Sequence, residues 1–221
     1  GRRADMILTS DLRALPVEHV IARGVTVAKD GAATVDFPHL VWPEDARATV
    51  RLGKTLLAAD FEVPAPDGAN RVKAKVIGVV ENQAPTKALT AELPVSGGVV
   101  EAEGEVAQIA LVERHRGTGG VVNGFVLGFG YEGEMAVAST VAHDSHHMIV
   151  VGTSRERMAQ AANRLAQVGG GVTVWKDGGE IALVELPIAG LMSDSPAAEV
   201  AAKAERMVAA MAECGCTLNN A

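Results

Sequence analysis

The sequence MIVVGTSRERMAQAANRLAQVGGGVTVWKDGGEIALVEL, residues 148–186, decides the predicted fold. Its first four residues form an apolar run typical of a buried strand. Residues 153–156 then have the Thr-x-x-Glu spacing of a capping box, which predicts the start of a helix. Gly169 is expected to end that helix. The helix face expected to be buried carries Met158, Ala161, Ala162 and Leu165.

A hairpin and a second helix are predicted next. The apolar runs 172–175 and 181–184 flank the glycine-containing turn 176–180, which is the pattern of two antiparallel strands. Ser195 and Pro196 then have the order of an N-cap followed by proline at the first helical position. The residues expected on the buried face of this second helix are Val200, Ala204, Met207, Val208 and Met211.

Strand patterns dominate the rest of the chain. The runs 5–10, 17–23 and 25–28 predict a small antiparallel meander, and residues 37–70 predict a connector with one short strand at 48–52. Residues 117–130 are rich in glycine. Further strands are expected at 71–80, 88–95, 106–113, 135–142 and 148–151. The prediction is an α+β fold, in which a mixed sheet carries its helices on one face.

Composition excludes several classes of protein. The 221 residues are 48% hydrophobic and 3% aromatic, with a net charge of −7. A chain with this hydrophobic content can bury a core. Its net negative charge makes binding to the phosphate backbone of a nucleic acid unfavourable, so no nucleic-acid partner is expected. No apolar run approaches the length of a spanning helix, so a soluble, cytoplasmic protein without a membrane partner is expected. Cys214 and Cys216 are expected to be reduced structural thiols.

Two polar clusters follow or precede apolar strands. Residues 143–147 read His-Asp-Ser-His-His and lie between two predicted strands, and residues 113–116 read Glu-Arg-His-Arg after a third. Groups of this kind bind protons, metals or substrates. The alternative is a pair of solvated loops whose polar groups bond to backbone. The candidate active-site-facing residues, expected to lie near one another, are Glu113, His115, His143, Asp144 and His146.

These same passages carry a family resemblance. In order and spacing, the chain from about residue 60 to residue 217 closely resembles the C-terminal domain of the bacterial adenine deaminase family. Residue 147 departs from it, because relatives typically carry asparagine where this chain has His147. The matching passages are residues 111–115, 117–119, 128–130, 141–146, 149–153, 163–165, 169–171 and 187–194.

The resemblance implies a domain organisation. Residues 1–45 look like the strands that rejoin the small β-sandwich of the metal-dependent amidohydrolase superfamily, as a remnant of it. Residues 46–221 would form the α+β C-terminal domain. The chain is then expected to begin after the catalytic barrel, whose divalent metal, manganese or iron, it would not hold. No cofactor is expected in this fragment.

The resemblance also implies an activity. The complete enzyme would hydrolyse adenine to hypoxanthine and ammonia in purine salvage, with this part as an accessory domain near the active-site mouth, inactive alone. An alternative is a purely structural or dimerisation domain, and a homo-oligomer is expected in either case. A third interpretation, an independent metallohydrolase using His143, Asp144 and His146, conflicts with the family match.

Overall fold

The N-terminal part of the chain is a small antiparallel sheet. The computed structural model describes residues 1–38 and 40–218 and divides the chain into two compact units, Gly1–Val41 and Trp42–Ala221. In the N-terminal sheet, tight turns with positive φ at Arg23–Gly24 and Asp30–Gly31 join consecutive strands. The predicted meander is confirmed. The strands, in the order β1-β2-β3-β4, are β1 (Met6–Leu8), β2 (His19–Ala22), β3 (Val25–Lys29) and β4 (Ala32–Ala33).

The second unit is built on a nine-stranded mixed sheet. Its strand order is β13-β12-β10-β11-β8-β9-β5-β6-β7, and every pairing is antiparallel except that of β5 with β9. The α+β class with a mixed sheet is confirmed. Among the described residues, no helix is long and apolar enough to span a bilayer. The elements are α1 (Glu44–Arg47), a 3₁₀ helix (Ala58–Phe61), β5 (Arg71–Gly78), β6 (Lys87–Ser96), β7 (Val99–Val100), β8 (Val106–Val112), β9 (Val121–Leu127), β10 (Met135–Ser139), β11 (Met148–Gly152), α2 (Arg155–Val168), β12 (Gly171–Lys176), β13 (Gly179–Glu185) and α3 (Ala197–Glu213).

The two long helices lie on opposite faces of the sheet, so the prediction that the helices share one face is wrong. Met148 and Val150 of β11 belong to the core that contains α2, whereas Val151 belongs to the core that contains α3. Successive strand residues point to opposite faces. Both faces of β11 are apolar: α2 packs on one of them, and the other belongs to the core that α3 shares with β12 and β13.

The helix α2 buries the predicted face but begins one residue later than its capping box implied. Ser154 is the N-cap, and its hydroxyl accepts a hydrogen bond from the Arg157 N–H. The Thr153 hydroxyl instead accepts from the Met135 N–H and donates to the Gly133 carbonyl, because it faces β10. Gly169 ends the helix at φ 83°, as predicted. Met158, Ala161, Ala162 and Leu165 are all buried.

The helix α3 differs from its prediction at its start and on its buried face. Pro196 is the N-cap rather than the first helical residue, and no side chain caps this end. Met207 and Met211 are buried and Val200 is half-buried, but Ala204 is exposed and Val208 is 54% exposed. The buried stripe is narrower than predicted because α3 covers chiefly the edge strand β13.

Two other local predictions are corrected. Residues 48–52 form no strand: Arg51 makes a backbone bond to Arg114, and Leu52 turns into the core beneath α2. The glycine-rich passage contains a strand, β9, that the sequence analysis missed. Gly124 lies within it opposite Ile109, and β9 pairs with β8 on one side and with β5 on the other. Its Val and Phe residues favour a strand, but the surrounding glycines hid that signal.

Candidate functional site

The two polar clusters meet at one edge of the large sheet. The strand β8 ends at Val112, and β11 begins at Met148, which is its antiparallel partner. The connections 113–120 and 140–147 therefore leave the sheet side by side. The His115 Nε2 atom lies 3.1 Å from the Ser145 carbonyl oxygen. The structure thus brings the clusters around Glu113 and His143 together, as the sequence analysis predicted.

Glu113 organises the first connection through its carboxylate. That group accepts hydrogen bonds from the backbone N–H groups of His115 (2.5 Å), Arg116 (2.9 Å) and Thr118 (3.1 Å), and from the Thr118 hydroxyl. Burial alone would raise the pKa of Glu113, but these donors outweigh it and lower the pKa to about 2. Glu113 is therefore ionised at neutral pH and holds the loop, so it is poorly suited to act as a general acid.

Arg114 is buried at the centre of the same edge, with 1% of its surface exposed. Its Nε donates to the His146 carbonyl oxygen at 2.5 Å, and its Nη2 donates to the Ala189 carbonyl oxygen at 3.1 Å. A longer contact of 3.5 Å joins Nη2 to the Thr140 carbonyl oxygen. One side chain thus contacts the backbone of two loops that are distant in sequence.

The histidines of this edge form two ring contacts. The ring centroids of His115 and His147 lie 4.8 Å apart, and those of His143 and His146 lie 5.3 Å apart. The Nδ1 atoms of His146 and His147 are buried and have no hydrogen-bond partner within residues 1–38 and 40–218. A cavity of about 570 Å³ opens beside them, lined by Glu113, His115, Arg116, Thr118 and His147. This volume is ample for a small aromatic ligand.

Asp144 and His143 form the exposed tip of the loop. Within the described part of the chain, the Asp144 carboxylate makes no hydrogen bond and no ion pair, so it does not orient an imidazole of this loop. Its oxygens are free to accept hydrogen bonds from a group outside the described residues. His146 lies deeper, with φ at 50° and its carbonyl oxygen bonded to Arg114.

This edge does not fit a resident metal ion. Among the residues that the structure describes, no group of three or more His, Cys, Asp or Glu side chains is arranged to hold one. The Glu113 oxygens already accept four hydrogen bonds, and the nearest imidazoles are in pairs rather than threes. The residues present can bind and orient a polar aromatic ligand.

Sequence reasoning missed two residues of this edge. His147 is not among the predicted site residues because it departs from the family pattern, yet its ring contacts His115 and lines the cavity. The sequence predicts Arg114 as one charge of a solvated run, yet it is the least exposed residue of that run. The burial of Arg114 could not be predicted from the apolar residues Val112 and Met148 beside it, because the two loops that enclose Arg114 come from distant parts of the chain.

Comparison with known proteins gives one consistent family. A family model described as the adenine deaminase C-terminal domain matches residues 83–221. Curated relatives named adenine deaminase include those of Ruegeria sp. strain TM1040, 73% identical over 221 residues, and Ruegeria pomeroyi, 74% identical over 224 residues. That of Moorella thermoacetica is 43% identical over 220 residues. These matches cover 99–100% of this chain but only 37% of each relative.

Proposed function

This chain belongs to the adenine deaminase C-terminal domain family, and on that basis we propose that it is part of an enzyme that hydrolyses adenine to hypoxanthine and ammonia. The observation that carries the proposal is the high identity to relatives named adenine deaminase along the whole of this chain. The chain spans about 37% of their length, and the activity is proposed for the complete enzyme rather than for this chain alone.

Within that enzyme, the edge formed by residues 113–120 and 140–147 is proposed to lie near the active-site mouth. The support is chemical. Adenine presents ring nitrogens that accept hydrogen bonds and an exocyclic amine that donates them. The exposed Asp144 carboxylate can accept from the amine, and the imidazoles of His143 and His146 can donate to or accept from ring nitrogens. In this proposal the chain's residues bind and orient the purine, and they exclude water from it.

A divalent metal, manganese or iron, is proposed for the portion of the complete enzyme outside this chain, because the described residues do not fit one. The work of this chain would be positioning, which contributes by holding the purine in the geometry of attack.

Product analysis tests this function. The complete enzyme, supplied with manganese or iron, is expected to convert adenine to hypoxanthine with release of one ammonia, measured by chromatography and an ammonia assay. The isolated 221-residue chain is expected to convert none under the same conditions. Absence of hypoxanthine with the complete enzyme would refute the activity. Turnover by the isolated chain would refute the accessory role.

A second candidate function, dimerisation, is favoured by one feature of the sheet. On the face that α3 covers only in part, Leu111 and Val122 are neighbours in register and are 37% and 69% exposed, with Ile77 at 43%. Exposed apolar patches of this kind mark interaction sites. The occupant proposed is a second copy of the chain, in keeping with a homo-oligomer.

A further inference from the structure

The structure points to Arg114 as a positioning residue that joins the histidine loop, residues 140–147, to a second loop, residues 187–193, in one rigid surface. This inference rests on the proposed function, because it extends the surface near the active-site mouth to the second loop. The Arg114 side chain does not reach solvent, so it is not a catalytic residue. It acts through the backbone that it holds.

The chemistry of the buried guanidinium carries the argument. Among the described residues, no carboxylate forms an ion pair with Arg114, and its Nη1 has no hydrogen-bond partner. Burial lowers the pKa of Arg114, since it disfavours the charged form. Burying a charge without a counter-ion is costly, and hydrogen bonds to the charged group offset part of that cost. Here they are made to the carbonyl oxygens of His146 and Ala189, one in each loop.

The second loop is shaped to receive this group. A Cβ atom placed on Gly190 would lie 2.7 Å from the Arg114 Nη1 and 3.0 Å from its Cζ, so only glycine leaves room for the guanidinium. The Gly190 carbonyl oxygen accepts a hydrogen bond of 2.6 Å from the buried Thr140 hydroxyl. Thr140 is the first residue of the histidine loop. The two loops are therefore joined directly, by the Thr140 hydroxyl, and also through the Arg114 side chain.

Lysine cannot replace arginine in this role. A guanidinium is a planar fork whose nitrogens donate in fixed and different directions, whereas an ammonium is a single point of charge. The two carbonyl oxygens bonded to Arg114 belong to residues 43 positions apart, His146 and Ala189. Because an ammonium cannot hold both carbonyl oxygens in fixed positions at once, we expect Arg114→Lys to separate the two loops and to loosen both.

The experiment measures hydrogen exchange and adenine turnover in the complete enzyme. Arg114→Lys is expected to raise amide exchange in peptides of both loops and to lower kcat by roughly 10–100-fold, because small displacements of positioning groups have effects of that size. Gly190→Ala approaches the same contact from the other side and is expected to reproduce both effects. Gly68→Ala is the matched control. The φ of Gly68 is 73°, close to the 70° of Gly190, but no atom lies within 4 Å of its Cβ position.

Loss of stability alone is controlled by Leu165→Ala, which removes buried side-chain volume from the core beneath α2 and leaves the hydrogen bonds of Arg114 in place. That variant is expected to keep kcat at temperatures where it remains folded. The inference is overturned if Arg114→Lys keeps kcat within twofold, or loses it only in proportion to its unfolded fraction. It is also overturned if only one loop exchanges faster. If the unsubstituted enzyme does not turn over adenine, the proposed function fails, while the exchange data still decide whether Arg114 joins the loops.

Discussion

Glu113 shows how one side chain can be placed beside a cavity and yet serve the backbone. Its carboxylate oxygens are occupied by the N–H groups and the hydroxyl of its own loop, which leaves them little capacity for a ligand. From the sequence, Glu113 is a candidate for a catalytic or binding role. In the structure, its carboxylate fixes the conformation of its own loop instead. The imidazole of His115, held by that loop, is the group that reaches the neighbouring loop.

The low pKa of Glu113 gives a pH-dependent prediction. Its value in the folded chain, about 2, lies below the ordinary value of 4.5, so the ionised form stabilises the fold. That stabilisation is fully present above about pH 4.5 and is lost as the pH falls towards 2. Glu113→Gln is expected to lower stability by roughly 1–2 kcal/mol at pH 7 and by less as the pH falls.

Urea unfolding of the 221-residue chain between pH 7 and pH 2.5 measures this effect. The exposed Glu105, changed to Gln, is the matched control and is expected to leave the midpoint nearly unchanged at each pH. A difference between Glu113→Gln and the unsubstituted chain that stays constant across this range would contradict the assignment of the loop bonds to the ionised carboxylate.

At the scale of residues, the sequence allowed the clusters to be found but not their internal roles. His115, His143 and Asp144 could be identified as candidates from the sequence because imidazoles and carboxylates beside apolar strands are uncommon. The burial of Arg114 could not be predicted from the sequence, because it depends on the loop 187–193 folding back over the edge of the sheet. Local charge patterns carry no information about such distant contacts.

Among the elements, α2 was predicted well because its signals are local. Alternation of apolar residues at helical spacing and a terminal glycine act within a few turns of one helix. The predicted N-cap, Thr153, lies one residue before the observed N-cap, Ser154, because the Thr153 hydroxyl bonds to the backbone of β10 instead. The buried stripe of α3 was predicted too wide, because how much of a helix is covered depends on the sheet beneath it.

Two substitutions on these helices test the packing. Leu165 is fully buried under α2, and Leu165→Ala is expected to cost about 2–5 kcal/mol of unfolding free energy, which is the range for a leucine removed from a core. Val208 is exposed on α3, and Val208→Ala is expected to change it by less than about 0.5 kcal/mol. Chemical denaturation of the full chain measures both. Equal losses for the two would show that the helix faces are assigned wrongly.

At the scale of the whole molecule, the class of fold was predictable and the arrangement of its layers was not. Strand and helix patterns along the chain give the elements and hence an α+β fold. Which face each helix covers is decided by the direction in which the chain leaves the sheet after β11 and after β13. Residues on β11 are apolar on both faces, and that pattern is the one signal from which helices on opposite faces could have been inferred.

The uncovered part of the sheet gives a prediction about assembly. If a second copy binds there, Val122→Lys places a charge in the interface and is expected to shift the complete enzyme towards monomer in sedimentation velocity. Val208→Lys, on the exposed side of α3, is the control and is expected to leave the sedimentation coefficient unchanged. A Val122→Lys enzyme with an unaltered oligomeric state would exclude this face as the contact.

If the proposed function is right, the loop 140–147 takes part in adenine turnover by the complete enzyme. Asp144 tests it most directly, because its carboxylate is exposed and makes no bond within residues 1–38 and 40–218. Asp144→Asn keeps the size of the side chain and removes its charge, so folding should be little affected. Asp67→Asn, at an exposed turn on another part of the chain, is the matched control.

The decisive measurement is steady-state deamination of adenine by the two variants beside thermal unfolding. We expect Asp144→Asn to lower kcat/KM by about 10²-fold or more while its Tm stays close to that of the unsubstituted enzyme, and Asp67→Asn to change neither. Near-normal turnover by Asp144→Asn would contradict a role for the histidine loop in turnover and assign that loop to structure alone.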